Sequence, residues 1–374
     1  MRRLWSAAVP AAGAAASAPP GEAGGTPAVQ PARTPALRRT PVAIVGGGPA
    51  ASAAALSLAR RGIPSVIIER GDDDGGDKPG ESLPPSARPL LDALDIPLDG
   101  HLRSTGNRSS WGSDAVDEMP FIFSPYGEGW HLDRRRFERL LIERAGVERR
   151  TKTRVAGFTR EGRGWRLRLH DGATIESAFL IDATGRAAWL SRRLGATRIH
   201  HDRLIASVAF LAGGRCDSST LIEAAEEGWW YSAALPDARL AVMFISDAAR
   251  PWNVAPLTRA RIDEGGYTMS RPRTVDAGSA RLDRACGDGW LAVGDAATSL
   301  DPLSSHGLMT ALATGLAAGE TIAASIAGST RAFDEYQAFI DTSWRAYARM
   351  RRACYASEGR WADAPFWRRR REVM

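Results

Sequence analysis

The first apolar run with a clear limit is Val42-Ala43-Ile44-Val45, stopped by Gly46-Gly47-Gly48-Pro49. A short continuous apolar stretch closed by a Gly/Pro turn reads as a buried strand. A small-residue helix follows from Ala50 to about Arg61. Gly62-Ile63-Pro64 then turns the chain into a second strand, Ser65 to Ile68, which ends at Glu69. Strand, helix and strand in this order make one βαβ unit. Gly71 to Gly76 is a polar loop. Trp130 to Ala145 predicts a helix opened by Asp133, with Phe137, Leu140 and Leu141 on its apolar side. From Thr151 to Ile181 the period shortens to that of alternating strands, and Ile199 to Ile245 is again strand-rich. Leu308 to Ile326 predicts a long small-residue helix and Phe333 to Arg352 an amphipathic one. No internal repeat is visible.

Before Pro41 the pattern is different. Met1 to about Thr40 is rich in Ala, Pro and Gly, and cannot bury enough apolar surface to offset its ordering entropy. Disorder is expected there, with order starting at Pro41. Two arginines and an Ala-Ser-Ala site give the opening the look of an export signal, but Pro10 and Gly13 break its apolar stretch and Pro19 follows the site. The expected location is therefore cytoplasmic. A true extension, a targeting segment and a start assigned too far upstream all stay open.

Composition narrows the class. At roughly 150 residues per domain, 374 residues suggest two domains or one large two-layered unit. Cys216, Cys286 and Cys354 lie far apart, without a C-x-x-C pair or a histidine cluster, so no metal site and no disulfide framework is expected. No apolar run approaches bilayer length. The net charge of +6 is carried almost wholly by arginine, since Lys78 and Lys152 are the two lysines. Arginines gather at both ends, as in Arg368 to Arg371. A solvated basic tail is the expectation, and no nucleic-acid motif accompanies it.

Gly46-x-Gly48-x-x-Ala51 closes the first strand and opens the helix. The first glycine permits the tight turn, the second lets backbone approach a pyrophosphate, and the small third position allows helix–strand packing. The helix start at Pro49, Ala50 and Ala51 offers the unpaired N–H groups of Ala50 and Ala51 to the phosphates. Glu69, at the end of the second strand and followed by Arg70, stands where a carboxylate hydrogen-bonds an adenosine ribose. Two later strands also end in glycine turns: Phe179 to Asp182 before Gly185-Arg186, and Trp290 to Val293 before Gly294-Asp295. Asp301-Pro302-Leu303-Ser304-Ser305-His306-Gly307-Leu308 then leads into the long helix.

This combination resembles the FAD-binding pattern of the flavoprotein family that includes p-hydroxybenzoate hydroxylase. The resemblance implies FAD as cofactor, with Asp295 on the ribityl chain and the backbone of Ser304 to Leu308 at the isoalloxazine pyrimidine edge. It also implies that Arg134 contacts the cofactor, and that Asp182, Gly185, Gly294, Pro302, Ser305, Gly307 and Leu308 belong to the cofactor site. The implied fold class is α/β: a Rossmann-like FAD-binding domain with a smaller antiparallel substrate-facing sheet and a C-terminal helical segment. The expected boundaries are 41–186 with 281–330 for the FAD domain, 80–130 within it partly facing substrate. The substrate sheet is expected at 187–280, and a C-terminal helix with a basic tail at 331–374.

Gly80-Glu81-Ser82-Leu83-Pro84-Pro85 is similar to a segment of flavin-dependent halogenases and geranylgeranyl-reductase-like enzymes. Gly228-Trp229-Trp230-Tyr231 stands where halogenases carry an aromatic-rich motif. Halogenases pass hypohalous acid to a lysine, yet no lysine lies between Glu81 and Lys152, and the Trp-x-Trp-x-Ile-Pro spacing is absent. A nearer resemblance is to halogenase-like flavoproteins that help build peptidyl tryptophan-derived quinones. It rests on Ser110-Trp111-Gly112, Gly129 to Arg134, Glu227 to Pro236, Asp301 to Ser305, Glu358 to Trp361 and Pro365-Phe366-Trp367.

The resemblance implies a flavin monooxygenase that oxygenates a tryptophan-like aromatic, in part of that group a tryptophan of a partner polypeptide. O2 and an external reductant, NAD(P)H or a flavin reductase, would be needed, because no second Rossmann fingerprint is visible. His306 is the candidate for proton transfer beside the flavin and Glu81 for orienting substrate or an arginine. Trp229, Trp230 and Tyr231 are candidates for the substrate wall. Trp361 and Trp367 are expected to be exposed for docking. Two other readings stand beside this one: a reductase or dehydrogenase of a small molecule, and a flavin-binding assembly factor without turnover.

Overall fold

The computed structural model describes residues 37–71 and 77–372, which lie within one compact unit running from Ala36 onward. The expectations for residues 1–36 and for the loop at 72–76 lie outside the described residues.

The βαβ unit forms as its pattern predicts. Ser65–Ile68 pairs in parallel with the first strand, and the helix Pro49–Ala59 crosses between them. Five parallel strands stand in the order Glu148–Arg150, Ser65–Ile68, Leu37–Val45, Thr174–Asp182, Trp290–Ala292. Val155–Glu161 and Gly164–Leu169 extend this sheet as an antiparallel meander on Thr174–Asp182. The first strand begins at Leu37, four residues before the expected Pro41. Leu37 to Thr40 pair with Thr174 to Ser177, and Arg39 Nε donates to Glu176 Oε2 at 2.8 Å. Backbone pairing and ion pairs order a stretch that has no apolar periodicity of its own.

Helix Pro49–Ala59 packs against Gly307–Ile326 through small residues. A Cβ on Gly315 would lie 2.4 Å from the Ala50 carbonyl oxygen, and one on Gly319 would lie 2.3 Å from Ser57 Oγ. Gly307–Ile326 is long and apolar enough to cross a membrane, contrary to the sequence expectation that no segment is. Its Ala/Gly content lets it pack as a core helix instead: Leu312, Ala318 and Ile322 are buried in the same core as Ala53, Ala54 and Leu58.

A second sheet has seven strands in the order Arg273–Asp276, Ile205–Leu211, Leu240–Ser246, Gly228–Ala234, Thr220–Ala225, Gly106–Ser110, Asp117–Pro120. It is antiparallel except where Gly106–Ser110 runs parallel to Thr220–Ala225. Two of its strands therefore come from 106–120, outside the contiguous 187–280 span read from sequence. Its central strands are buried on both faces. One face carries Trp229, Tyr231, Met243 and Ile245 against the C-terminal Tyr355, Phe366 and Trp367. The other carries Trp230, Val242 and Phe244 beneath the helix Pro256–Gly265.

The C-terminus is two helices, Ala332–Ser357 and Pro365–Glu372, rather than one helix and a solvated tail. Arg370 is buried, lies 3.7 Å over the Phe366 ring and pairs with Asp247 at 2.6 Å. Trp367 is fully buried, donating to the Ala225 carbonyl at 3.0 Å, so it cannot serve as an exposed docking residue. Trp361 stacks on it at 6.1 Å. Within the arginine run, Arg370 is buried, Arg371 half-buried and Arg368 and Arg369 exposed, a difference that composition alone conceals.

Gly315→Val tests the helix contact. The added side chain meets backbone, which cannot move aside, so a loss of about 1–3 kcal/mol is expected. The check is the thermal unfolding midpoint, with Gly359→Ala, where an added Cβ meets open space, as control.

Candidate functional site

A cleft of about 340 Å³ lies between the parallel sheet and the seven-stranded sheet. Its first edge is the glycine turn. Gly46 has φ +109°, and a Cβ there would lie 2.1 Å from the Ala183 carbonyl oxygen. Gly48 is the N-cap of Pro49–Ala59; its missing side chain leaves open space, and no side chain caps the helix. Gly48, Pro49 and Ala50 line the cleft. Ala51 is buried behind them against the core. Glu69 packs beneath the turn, within 2.9 Å of where a Gly47 Cβ would stand, and its Oε1 accepts from Gly71 N at 2.7 Å. Arg70 is exposed at the strand end and does not line the cleft.

The opposite edge is built by the two later turns. Gly185 and Asp295 both line the cleft. Asp295 is about two-fifths exposed, faces Arg186 Nε at 3.5 Å, and receives Arg198 at its backbone oxygen at 3.1 Å. Desolvation raises its carboxyl pKa, against the lowering pull of Arg186, Arg198 and Arg134. Gly294 serves packing instead: its φ is +57°, and a Cβ there would lie 2.8 Å from the Ala50 Cβ. Pro302, Ser305, Gly307 and Leu308 line the floor, with Ser305 held in the left-handed region at φ +51°. Gly307 opens the long helix with no side-chain cap. Two helix N-termini thus present N–H groups to one cleft, where they favour negative charge.

Arg134 closes the third side. It donates from Nη1 to the carbonyls of Pro79 at 2.8 Å and Gly80 at 2.9 Å, and pairs with Glu138 at 2.6 Å. Its Nε is buried without a partner. Asp133 caps this helix through Arg136 N at 3.0 Å, and Gly146 ends it at φ +59°.

Four further sequence assignments change, beside those of Arg70 and Gly294. Asp182 is fully buried and spends both carboxylate oxygens on protein: Oδ1 accepts from Thr184 N and Oγ1 at 3.0 and 2.6 Å, and Oδ2 from Ser191 N at 2.7 Å. It braces the turn and offers no atom to a cofactor. His306 is outside the cleft lining although Ser305 and Gly307 flank it there; its carbonyl accepts the first helical bond, from Thr310 N at 2.8 Å. Trp230 stands on the far face, stacked on Phe244 at 4.7 Å, because neighbouring strand residues point to opposite sides. Trp229 shares the Tyr231 face but is sealed under the C-terminal helices, its Nε1 donating to the Tyr355 hydroxyl at 3.1 Å. Tyr231 alone of the three reaches the cleft.

Glu81 and His131 are both buried beneath this wall. Tyr231 donates its hydroxyl proton to Glu81 Oε1 at 2.6 Å. Ser82, which lines the cleft, lies 3.4 Å from Thr220 Oγ1, and that oxygen lies 3.0 Å from His131 Nε2. His131 was missed in the sequence: a lone histidine in a short strand carries no pattern. Burial lowers its pKa from 6.5 to about 4.

An uncapped dinucleotide turn, an opposed acid and a second helix terminus form a donor set that fits FAD. The orphaned Arg134 Nε completes it, and the site is that of an FAD-dependent oxidoreductase. Comparisons with known proteins agree. Residues 113–374 match the family model for tryptophan halogenase, and residues 44–88 match an NAD(P)-binding Rossmann-like domain. The chain belongs to the tryptophan halogenase family. It is 28% identical over 357 residues to the putative FAD-dependent oxidoreductase LodB of Marinomonas mediterranea, covering 87% of this chain and 95% of that protein. Among solved structures, the myxobacterial chondrochloren halogenase CndH shares the fold with a TM-score of 0.79 at 22% identity, over 89% of this chain and 86% of that one. The peptidyl tryptophan dihydroxylase QhpG, essential for tryptophylquinone cofactor biogenesis, matches with a TM-score of 0.69 at 23% identity, over 89% and 78%.

Substitutions at Asp295, Asp182 and His131 test these contacts. Asp295→Asn weakens FAD binding by about tenfold while the FAD-free protein melts normally. Asp182→Asn instead destabilises the chain by about 1–3 kcal/mol by disturbing a buried charged acceptor. Fluorescence titration and melting curves separate the two. His131 stays neutral in the folded state where an unfolded histidine takes a proton. Its contribution is therefore present above pH 6.5 and is lost as pH falls toward about 4, by at most about 3 kcal/mol. His131→Gln flattens that part of the stability–pH curve measured by denaturant unfolding.

Proposed function

We propose that the protein is an FAD-dependent monooxygenase that oxygenates an electron-rich, tryptophan-like aromatic, with a tryptophan of a partner polypeptide as the favoured substrate. One observation carries this: the cleft joins a flavin-type cofactor edge to an apolar wall and contains no lysine. Ala206, Tyr231, Met243 and Val275 supply the wall. Of the two lysines, Lys78 pairs with Glu138 and lines a neighbouring hollow, and Lys152 sits exposed beyond the parallel sheet. A halogenase that relays hypohalous acid through lysine has no residue for that step here. The likeness to the fold of QhpG, a peptidyl tryptophan dihydroxylase, supports the choice of a peptidyl substrate, and the likeness to LodB over 95% of its length supports an FAD-dependent oxidoreductase.

Bound FAD would supply the redox chemistry, with O2 and an external reductant as co-reactants. The chain's own residues then do three things. The N-termini at Gly48 and Gly307 hold negative charge on the cofactor. Arg134 and Asp295 fix its position. The apolar wall excludes water and orients the aromatic ring.

The test supplies reduced, FAD-loaded protein with isotope-labelled O2 and tryptophan-bearing polypeptides encoded beside the gene, in buffer containing chloride and bromide. Mass spectrometry is expected to find labelled oxygen, and no halogen, on a tryptophan. A halogenated product overturns the reading. Reoxidation without any incorporation into these polypeptides moves the weight to a reductase or to a binder without turnover.

A further inference from the structure

Tyr231 lines the cleft and Glu81 lines the next hollow, of about 360 Å³, on the other side of the same wall. A single 2.6 Å hydrogen bond joins them. Glu81 is 1% exposed, and its Oε2 is buried with no partner at all. A buried carboxylate with one oxygen unsatisfied is costly, so such a group is kept for a reason or kept protonated. Helix capping explains Glu223, a buried acid of the seven-stranded sheet, whose oxygens receive Leu257 N, Thr258 N and Thr258 Oγ1 at 2.8–2.9 Å. Nothing comparable occupies Glu81.

The geometry points to a proton-delivery pair, in which Tyr231 is the acid of the cleft and Glu81 is the positioning and reloading residue behind it. The inference rests on reading the cleft as the place of oxygen transfer. Protonated, Glu81 donates to the Tyr231 oxygen, which frees the tyrosine proton to face the cleft. The Tyr231 O–H bond breaks and a new O–H bond forms on an anionic oxygen in the cleft. The Glu81 proton moves to the tyrosine oxygen, leaving a neutral tyrosine and a carboxylate. No electrons change hands. The carboxylate is reprotonated through the hollow.

The surroundings suit a group that gains and loses a proton. Burial raises the Glu81 pKa, while the Tyr231 bond, the backbone N–H of Glu81, the Arg134 charge and the backbone N–H of Gly80 lower it. Burial and Glu81 itself raise the Tyr231 pKa, with the Ser82 hydroxyl and then Arg261 opposing, so tyrosine passes a proton without standing ionised. The hollow holds the acids Asp77, Asp133 and Asp237 with Lys78, Arg135 and Arg239. Arg239 pairs with Asp77 at 2.7 Å and Asp237 at 2.6 Å, and Lys78 pairs with Glu138, which offsets those charges near Glu81.

Glu81→Gln keeps the acceptor for Tyr231 and nearly the same volume but supplies no proton; Tyr231→Phe keeps the ring. Infrared pH titration of the FAD-loaded full chain is the first readout. A protonated-carboxyl band is expected to persist above the pH at which exposed carboxylates ionise, to vanish in Glu81→Gln and to shift in Tyr231→Phe. The second readout is the pH profile of oxygen transfer, which both variants are expected to flatten while lowering the rate at least about tenfold. A band that survives in Glu81→Gln, or no such band, overturns the pair whatever the cleft does. So do variants with the unaltered pH profile. A band lost in Glu81→Gln in a protein that transfers no oxygen upholds the pair and removes the oxygen-transfer reading instead.

Discussion

The structure depends on one buried carboxylate, that of Asp301. It sits at the start of the loop that floors the cleft, and water does not reach it. Its Oδ1 accepts from Leu303 N at 2.9 Å; its Oδ2 accepts from Tyr355 at 2.8 Å and from Arg351 Nε at 3.1 Å. Its own N–H donates to Tyr347 at 2.9 Å. An unpaired charge in this position would be untenable, so loop and C-terminal helix must fold together. Arg351 also reaches Asp202, tying the seven-stranded sheet to the same point. Pro302, Ser305 and Gly307 owe their places at the cleft to this clamp. The C-terminal segment is thus part of the site, though none of its residues lines the cleft.

The aromatic packing follows from the same constraint. Trp111, Tyr355, Phe366 and Trp367 meet at centroid distances of 5.1–6.2 Å and cover the sheet face that bears Trp229. That seal leaves one stretch of the face open, where Tyr231 and Met243 look onto the cleft. Polar contacts are confined there to Glu81–Tyr231 and Ser82–Thr220–His131, which stitch the strand at Ser82 and the strand at His131 to the large sheet. The wall is largely apolar toward the cleft and polar behind.

What could be read from sequence were the features fixed by local geometry. A strand that ends in Gly46-x-Gly48 and opens a helix has few other uses, and Asp295 after Gly294 stood out for the same reason. Asp182 misled because strand–acid–glycine describes a braced turn as well as a ligand site; only the positions of Thr184 and Ser191 decide between them. The parity of Trp229, Trp230 and Tyr231 was hidden because Gly228–Ala234 is buried on both faces, which removes the alternation that marks a strand's two sides. Asp301–Arg351 and Glu81–Tyr231 join residues 50 and 150 positions apart. No local pattern announces such a pair.

The arginine-rich composition gives the proton-delivery pair its logic. Arginine stays charged across the physiological range and passes no proton. Arg134 and Arg186 can therefore hold negative charge in the cleft but cannot acidify it. Asp295 and Asp276 both face Arg186, and Asp301 is committed to the C-terminal clamp. His306 is not among the residues that line the cleft. Among the cleft-lining residues this leaves hydroxyl groups as proton carriers, and of these Tyr231 has a buried acid directly behind it. A chain that uses arginine for almost every cation must find its movable proton elsewhere, and the Glu81–Tyr231 bond is where this fold holds one.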